Sequence, residues 1–194
     1  MLKDIFETIK NDPYNETYRD QGIEPLYVVD TQAKILIIGQ APGIKAQEKR
    51  RVFDDLSGQR LMAWLGVDEA TFRNPQNFAI MPMDFYYPGK GKSGDLPPRK
   101  EFAAKFHPLL LAEMTELKLI ILIGSYAQNY YLKQNKQKNL TETVRAYAQY
   151  LPTYFPLVHP SPLNFRWLNK NPWFETKVIP QLQKLVHRFI ETND

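Results

Sequence analysis

Two short segments combine residue types that can do chemistry: residues 39–43 (GQAPG) and residues 159–164 (HPSPLN). The first follows residues 35–38, an unbroken run of branched apolar side chains that is typical of a strand buried on both faces. Glycine in a turn lets the backbone approach a ligand, and ligands of open α/β sheets lie at the carboxyl ends of strands. We therefore expect the GQAPG turn to form one wall of an active site. A plain strand-to-helix turn is the alternative.

The composition excludes several kinds of site. None of the 194 residues is cysteine, which rules out disulfides, thiolate zinc sites and cysteine-bound iron–sulfur clusters. Length and a hydrophobic content of 43% predict a single domain, residues 1–194, with one full core. No apolar run is long enough to span a membrane, and the acidic, helix-periodic N-terminus is unlike a signal peptide. We therefore expect a cytoplasmic protein without membrane contacts.

The charge distribution is compatible with an anionic partner. The net charge is +4, and basic side chains accumulate beside the unusual loops. The basic residues concerned are Lys45, Lys49, Arg50, Arg51, Lys90, Lys92, Arg99, Lys100, Arg166 and Lys170. The alternative is that each is an ordinary solvated surface charge.

The elements that must position these loops alternate along the chain. Apolar runs predict four strands, at residues 33–38, 77–82, 119–123 and 153–158. Helical periodicity predicts intervening helices, at residues 2–10, 58–66, 68–72, 99–117, 126–132, 141–150 and 172–190. This alternation predicts a three-layer α/β/α sandwich with a four-stranded, largely parallel central sheet. In such a sheet all four strand-ending loops converge at one edge.

Local signals refine these elements. Gly66 should end one helix, Asp68 should cap the next, and Thr141 should cap a later one. We expect possible kinks at Pro108 and Pro180. Residues 13–29 are predicted to be irregular. Residues 84–98 are rich in Gly, Pro, Lys and aromatic residues, and we interpret them as an ordered functional loop.

In their order and separation, each after a strand, GQAPG and HPSPLN resemble the two signature motifs of the uracil-DNA glycosylase superfamily. Residues 52–66 (VFDDLSGQRLMAWLG) are similar to the stretch after the first motif in the thermophile-type bacterial enzymes, and residues 117–127 (LKLIILIGSYA) to the family's third strand. The resemblance covers residue 33 to the C-terminal helix. It implies an N-glycosidic hydrolase that flips a deaminated base, uracil or similar, out of DNA for base-excision repair, without metal or cofactor.

The resemblance also implies roles for individual residues. Gln40 and His159 would be catalytic, with His159 donating a hydrogen bond to the base oxygen as negative charge develops there. A histidine satisfied by backbone at a strand end is the alternative. Phe53 would stack on the flipped base, unless it is a core or lid aromatic. The complete base-binding set implied is Ala41, Phe53, Met81 and Asp84.

The loop after the fourth strand would enter the duplex. Its residues 163–165 would fill the vacated space with an apolar wedge. Ser161 and nearby backbone amides would hold phosphates, and cations such as Lys170 would add salt-dependent affinity. The expected DNA contacts are Pro42, Gly43, Ser161, Pro162, Leu163, Asn164, Phe165 and Arg166. DNA is therefore the expected partner, bound by a monomer.

The chain departs from the family pattern at two places. Several branches carry a carboxylate or asparagine in the first motif, where this chain has Gln40 and Ala41; glutamine can orient water but cannot act as a general base at neutral pH. The acids that can supply a carboxylate instead are Asp54, Asp55 and Asp84, each otherwise a surface or capping residue. The asparagine expected after the second strand to read the base is missing, and residues 81–83 are Met-Pro-Met.

Two other functions stay open. A catalytically inactive superfamily member that binds DNA or a nucleotide would explain both departures. Salt-sensitive oligonucleotide binding without base release would favour it. A small-molecule α/β enzyme with a phosphate at the GQAPG turn would show no DNA affinity.

Overall fold

A four-stranded parallel sheet lies at the centre of the computed structural model, which describes residues 1–191. Its strands are β1 (Ile35–Ile38), β2 (Phe78–Ile80), β3 (Leu119–Ile123) and β4 (Tyr154–Leu157). They lie in the order β2-β1-β3-β4, with every neighbouring pair parallel. In this register Ile37 is opposite Ile80 on one side and Ile121 on the other. All four strands therefore end at the same edge, as predicted.

Ten helices surround this sheet within the described residues. Those before β3 are α1 (Leu2–Asn11), α2 (Glu16–Asp20), α3 (Ile44–Lys49), α4 (Leu56–Leu65), α5 (Glu69–Arg73) and α6 (Phe102–Leu111). Those after it are α7 (Gly124–Leu132), α8 (Leu140–Arg145), α9 (Phe165–Lys170) and α10 (Ile179–Glu191). The last residues of the predicted domain, 192–194, lie outside the described range.

The strands bury both of their faces, because alternate side chains enter two different apolar clusters. Ile35 and Ile37 pack with side chains of α4, α5, α8 and α10. Leu36 and Ile38 pack on the other face with side chains of α1, α6 and α7. The result is the predicted three-layer α/β/α arrangement.

The helix predicted at residues 99–117 is much shorter, and this prediction was wrong at both ends. At its start, the backbone N–H and side chain of Arg99 bind Asp84, so residues 99–101 belong to the preceding loop. At its end, the chain must turn to enter the sheet, where Lys118 N–H donates to the Lys34 carbonyl at 2.7 Å. The helix itself runs through Pro108.

Several local predictions are confirmed and others corrected. Asp68 caps α5 and Gly66 ends α4 in the left-handed conformation. Asn139, not Thr141, caps α8, since its side chain accepts a hydrogen bond from Glu142 N–H at 2.9 Å.

Helical structure also appears where none was predicted, and the C-terminal helix differs in form. The segment predicted to be irregular contains the 3-10 turn Pro13–Asn15 and helix α2, and helix α9 was not predicted. The C-terminal helix begins as a π-helical turn, Phe174–Val178, directly before α10. Pro180 lies at the second position of α10 and supplies no N–H to the preceding turn.

Candidate active site

A cavity of about 290 Å³ opens at the carboxyl edge of the sheet. Its walls come from the GQAPG turn after β1, the segment between α3 and α4, the end of β2 and the loop after β4. Gln40, Phe53 and His159 all line it, so the structure brings together three side chains that are far apart in sequence. This volume lies near the lower end of the range for small-ligand sites.

The loop after β3 does not contribute to this cavity, contrary to the expected convergence of all four loops. Helix α7 begins at Gly124, immediately after the strand, and leaves no intervening loop. Its Gln128 side chain is buried and donates to the carbonyls of Leu122 and Leu157, at 3.1 and 2.9 Å. The start of α7 therefore links the ends of β3 and β4 and does not form a wall of the cavity.

The GQAPG turn is fixed through its backbone. The Gly39 carbonyl accepts from Met83 N–H at 2.9 Å, and the Gln40 carbonyl accepts from Asp84 N–H at 3.3 Å. Ala41, Pro42 and Gly43 line the cavity beside Gln40, and Pro42 is otherwise buried. The Gln40 amide makes no side-chain hydrogen bond with any of residues 1–191, so it is available to a ligand or water.

The protonation of His159 follows from one hydrogen bond. Ser161 N–H donates to His159 Nδ1 at 3.1 Å. A backbone amide can only donate, so Nδ1 carries no proton and the neutral ring carries it on Nε2. Burial lowers the pKa of His159 below 6.5, against an opposing effect of the Asp55 charge. At neutral pH His159 is therefore a neutral side chain with Nε2–H as a donor.

The loop that contains His159 is braced from within. Asn164 Nδ2 donates to the His159 carbonyl at 2.7 Å, and Ser161 Oγ accepts from Leu163 N–H at 3.2 Å. From helix α4, Arg60 Nη1 donates to the Ser161 carbonyl at 3.0 Å. Ser161 and Asn164, both predicted DNA contacts, thus hold the loop in shape.

The outer side of this loop is apolar and basic. Leu163 is 85% exposed and Phe165 is 51% exposed, unusually high for large apolar side chains. Pro162 and Arg166 are exposed beside them. The remaining DNA contacts predicted in this loop therefore lie on an open surface.

Phe53 is held in place by its own backbone. Its φ of 53° is in the left-handed region, which costs free energy for a residue other than glycine. Arg73 stabilises this turn by donating to the carbonyls of Val52 and Phe53, at 2.7 and 2.9 Å. A Cβ atom on Gly58 would overlap the Phe53 carbonyl oxygen, so only glycine fits there.

The ring of Phe53 lies beside the GQAPG turn. A Cβ atom on Gly39 would be 3.7 Å from Phe53 Cζ, which is ordinary van der Waals contact. The ring also contacts Phe72 in a T-shaped arrangement, with centroids 6.4 Å apart. The Phe53 ring is thus packed beside Gly39 and Phe72, and it also borders the cavity.

Two residues expected to bind the base do not reach the cavity. Met81 and Asp84 are each fully buried, so neither side chain can touch a molecule in it. Met81 packs in the apolar cluster on the α1–α6 face, and Asp84 forms an ion pair with Arg99 at 2.7 Å. Pro82, between them in sequence, lines the cavity instead.

The three alternative acids have different surroundings. Asp54 pairs with Lys49 at 3.2 Å and Arg51 at 3.5 Å, and Asp84 is buried. Asp55 lines the cavity, and its Oδ1 caps helix α4 by accepting from Gly58 N–H at 3.0 Å. Of the three, only Asp55 presents a carboxylate to the cavity.

A small hairpin lies at the rim of the cavity and was not predicted from the sequence. Lys90 and Asp95 form an antiparallel bridge, and Pro88, Asp95 and Leu96 line the cavity. The Tyr87 hydroxyl donates to Asp95 at 3.1 Å. Glycines 89 and 94, with φ of 112° and 84°, are the sequence signal for this turn.

Within residues 1–191, no three His, Asp or Glu side chains are grouped so that they could hold a metal ion. No helix in that part of the chain is long and apolar enough to cross a membrane.

The chain is similar to a known protein family and to a solved structure. A family model for the Uracil DNA glycosylase superfamily matches residues 26–183, a range that includes every cavity residue named above. A solution NMR structure of a candidate uracil DNA glycosylase from Methanosarcina acetivorans is also similar. That match has 16% sequence identity and a TM-score of 0.47, and covers 81% of this chain and 95% of the other.

Proposed function

The chain belongs to the uracil DNA glycosylase superfamily, and we propose that it hydrolyses the N-glycosidic bond of a deaminated base, uracil or similar, in DNA. The observation that carries this proposal is the grouping of Gln40, Phe53 and His159 around one cavity at the sheet edge. Chemistry on a base in DNA requires the base to leave the stack and enter such a pocket.

His159 supplies what the departing base needs. Cleavage of the bond between C1′ and the base nitrogen leaves the electron pair on the base, as an anion. A donor fixed near the base oxygen stabilises that charge as it forms. Neutral His159, with its proton on Nε2 and its Nδ1 held by Ser161, is such a donor.

Phe53 and Gln40 complete the pocket. An aromatic face offers a stacking surface to any flipped base, independent of its hydrogen-bonding pattern. The position of the Phe53 ring beside Gly39, at the cavity, supports this role. The Gln40 amide, which has no side-chain hydrogen bond to residues 1–191, can hold a water or a polar edge of the base.

DNA is the partner in this proposal, bound by a single-domain monomer. Leu163 and Phe165 form the wedge that enters the duplex, and Arg166 adds a phosphate contact. The exposed Lys90 and Lys92 of the rim hairpin extend the basic surface across the cavity.

The direct test is release of base from oligonucleotides that contain uracil, hypoxanthine or xanthine. We expect the wild-type protein to release at least one of them and the Gln40→Ala/His159→Ala double variant to lose that activity. Alkali-labile abasic sites and chromatography of the free base measure it. Salt-sensitive DNA binding with no release above that of the double variant would contradict the proposal and favour an inactive binding module.

Replacing Leu163 with alanine should slow base release from duplex DNA roughly tenfold, because filling the vacated space offsets a few kcal/mol of unstacking. The rate on a single strand should change little, since no stacked pair has to be opened. Single-turnover rates on matched duplex and single-stranded substrates give the comparison. Leu109→Ala, 38% exposed on α6 away from the cavity, is the control. An equal loss on both substrates would argue against a wedge.

A further inference from the structure

We propose that Asp55 is a catalytic residue of this site, the carboxylate that accepts the proton of the hydrolytic water. The inference rests on the proposed glycosylase function and assigns one of its steps.

Hydrolysis needs a proton acceptor beside the attacking water, and the GQAPG turn contains none. The Gln40 amide is not basic at neutral pH, and Ala41 has no polar side-chain atom. His159 Nδ1 is already occupied by Ser161 N–H, and its Nε2–H is the donor to the base. The acceptor must therefore come from another wall of the cavity.

Among residues 1–191, two acidic residues line the cavity, Asp55 and Asp95. Asp95 lies on the rim hairpin, where it accepts from the Tyr87 hydroxyl at 3.1 Å. Asp55 is fixed at the start of α4, two residues after Phe53, so it borders the surface on which the base would stack. The position of Asp55 beside the base site, on a helix terminus, distinguishes it from Asp95.

The hydrogen bonds of Asp55 leave it available for water. Its Oδ1 accepts from Gly58 N–H at 3.0 Å, and Oδ2 makes no hydrogen bond with the described residues. The cap also fixes the side-chain rotamer, so that the second oxygen is presented in one direction. A carboxylate held in this way orients water before reaction.

Asp55 and His159 are connected through one helix. Helix α4 has Asp55 at its N-cap, and its Arg60 donates to the Ser161 carbonyl in the His159 loop at 3.0 Å. The Asp55 charge also acts on His159, raising its pKa against the larger effect of burial. The proposed proton acceptor, Asp55, and the donor to the base, His159, are thus close enough for the Asp55 charge to act on His159.

In the proposed step one bond to C1′ forms while another breaks. A water oxygen forms a bond to C1′ of the deoxyribose while the bond from C1′ to the base nitrogen breaks. The bonding pair leaves with the base, whose oxygen is stabilised by His159 Nε2–H. The water proton passes to the Asp55 carboxylate, and the base anion later takes a proton from solvent.

The test uses Asp55→Asn, which keeps an N-cap oxygen for Gly58 N–H but removes the basic carboxylate. We expect kcat for base release to fall roughly 10²- to 10³-fold, with KM within about threefold and an unchanged melting temperature. Asp68→Asn is the matched control, because Asp68 caps the neighbouring α5 at 2.8 Å and does not line the cavity. It should retain wild-type kcat.

A second variant separates catalysis from folding. Asp55→Gly is a suitable variant because glycine is also tolerated at an N-cap. Added formate should restore part of its rate of base release, because formate is a small carboxylate that can enter the cavity. If wild-type protein releases base and Asp55→Asn keeps its kcat within threefold, the inference is overturned while the proposed function stands. If wild-type protein releases no base, the proposed function fails and the assignment to Asp55 fails with it.

Discussion

Replacing Arg99 with methionine should destabilise the protein by about 3–5 kcal/mol, because it leaves a buried carboxylate without its counter-charge. Asp84 is fully buried, and Arg99 contacts it with Nε at 2.7 Å and Nη2 at 3.0 Å. Chemical denaturation of both proteins measures the difference in the free energy of unfolding.

Other contacts of Arg99 add to this loss. Its guanidinium donates to the Tyr14 carbonyl and to Asn15 Oδ1, each at 2.9 Å, and lies over the Tyr14 ring at 4.7 Å. It therefore joins the N-terminal segment to the loop after β2. Lysine lacks the planar fork needed for these bonds, so Arg99→Lys should recover little.

Two further variants test the reason for this loss. Lys49→Met removes an exposed ion pair with Asp54 and should cost no more than about 1 kcal/mol. Adding Asp84→Asn to Arg99→Met should restore part of the stability, since it removes the uncompensated charge. A loss below about 1 kcal/mol for Arg99→Met would show that the pair is not essential to this loop.

Replacing His159 with alanine should lower kcat for base release by about 10²- to 10³-fold, the usual cost of losing one fixed donor to a developing anion. Binding of DNA should change little, because the contacts of the wedge remain. Single-turnover kinetics and a binding titration with uncleaved substrate separate the two effects.

A control variant at His187 and the titration of His159 test this prediction further. His187, which bonds the Gly66 carbonyl at 2.9 Å outside the cavity, should tolerate alanine without loss of rate. Because burial lowers the pKa of His159, the ring stays neutral at pH 6.5. It gains a second proton, on Nδ1, only as the pH falls through the lowered pKa, and Nδ1 then no longer accepts from Ser161 N–H. An NMR titration of His159 with a midpoint above 6.5 would contradict this assignment.

The fold was predictable because its strands are buried on both faces. Residues 119–123 and 35–38 are apolar runs without alternation, which suit a parallel sheet, and the structure has strands at both. It was harder to infer which alternate residues of a strand face the cavity and which enter the core. Ile80 and Pro82 face the cavity while Met81 enters the opposite cluster, so a one-residue offset separates a wall residue from a core residue.

The rest of the site depends on contacts between distant residues. Asp84 is paired with Arg99, a partner 15 positions away that no local pattern identifies. The tautomer of His159 depends on the direction of the Ser161 N–H, which a sequence motif does not specify. The rim hairpin needs its glycines in left-handed conformations before Asp95 reaches the cavity.

The close approach of Gly58 to the Phe53 carbonyl limits which positions can be varied when this cavity is redesigned by directed evolution. A library that randomises position 58 along with its neighbours would consist mainly of proteins in which Phe53 is displaced, whatever their other substitutions. Ser57 and Val52, whose side chains border the cavity, offer variation without that backbone conflict. New ligand preferences of this cavity are therefore better sought by holding residue 58 constant and varying the walls around it.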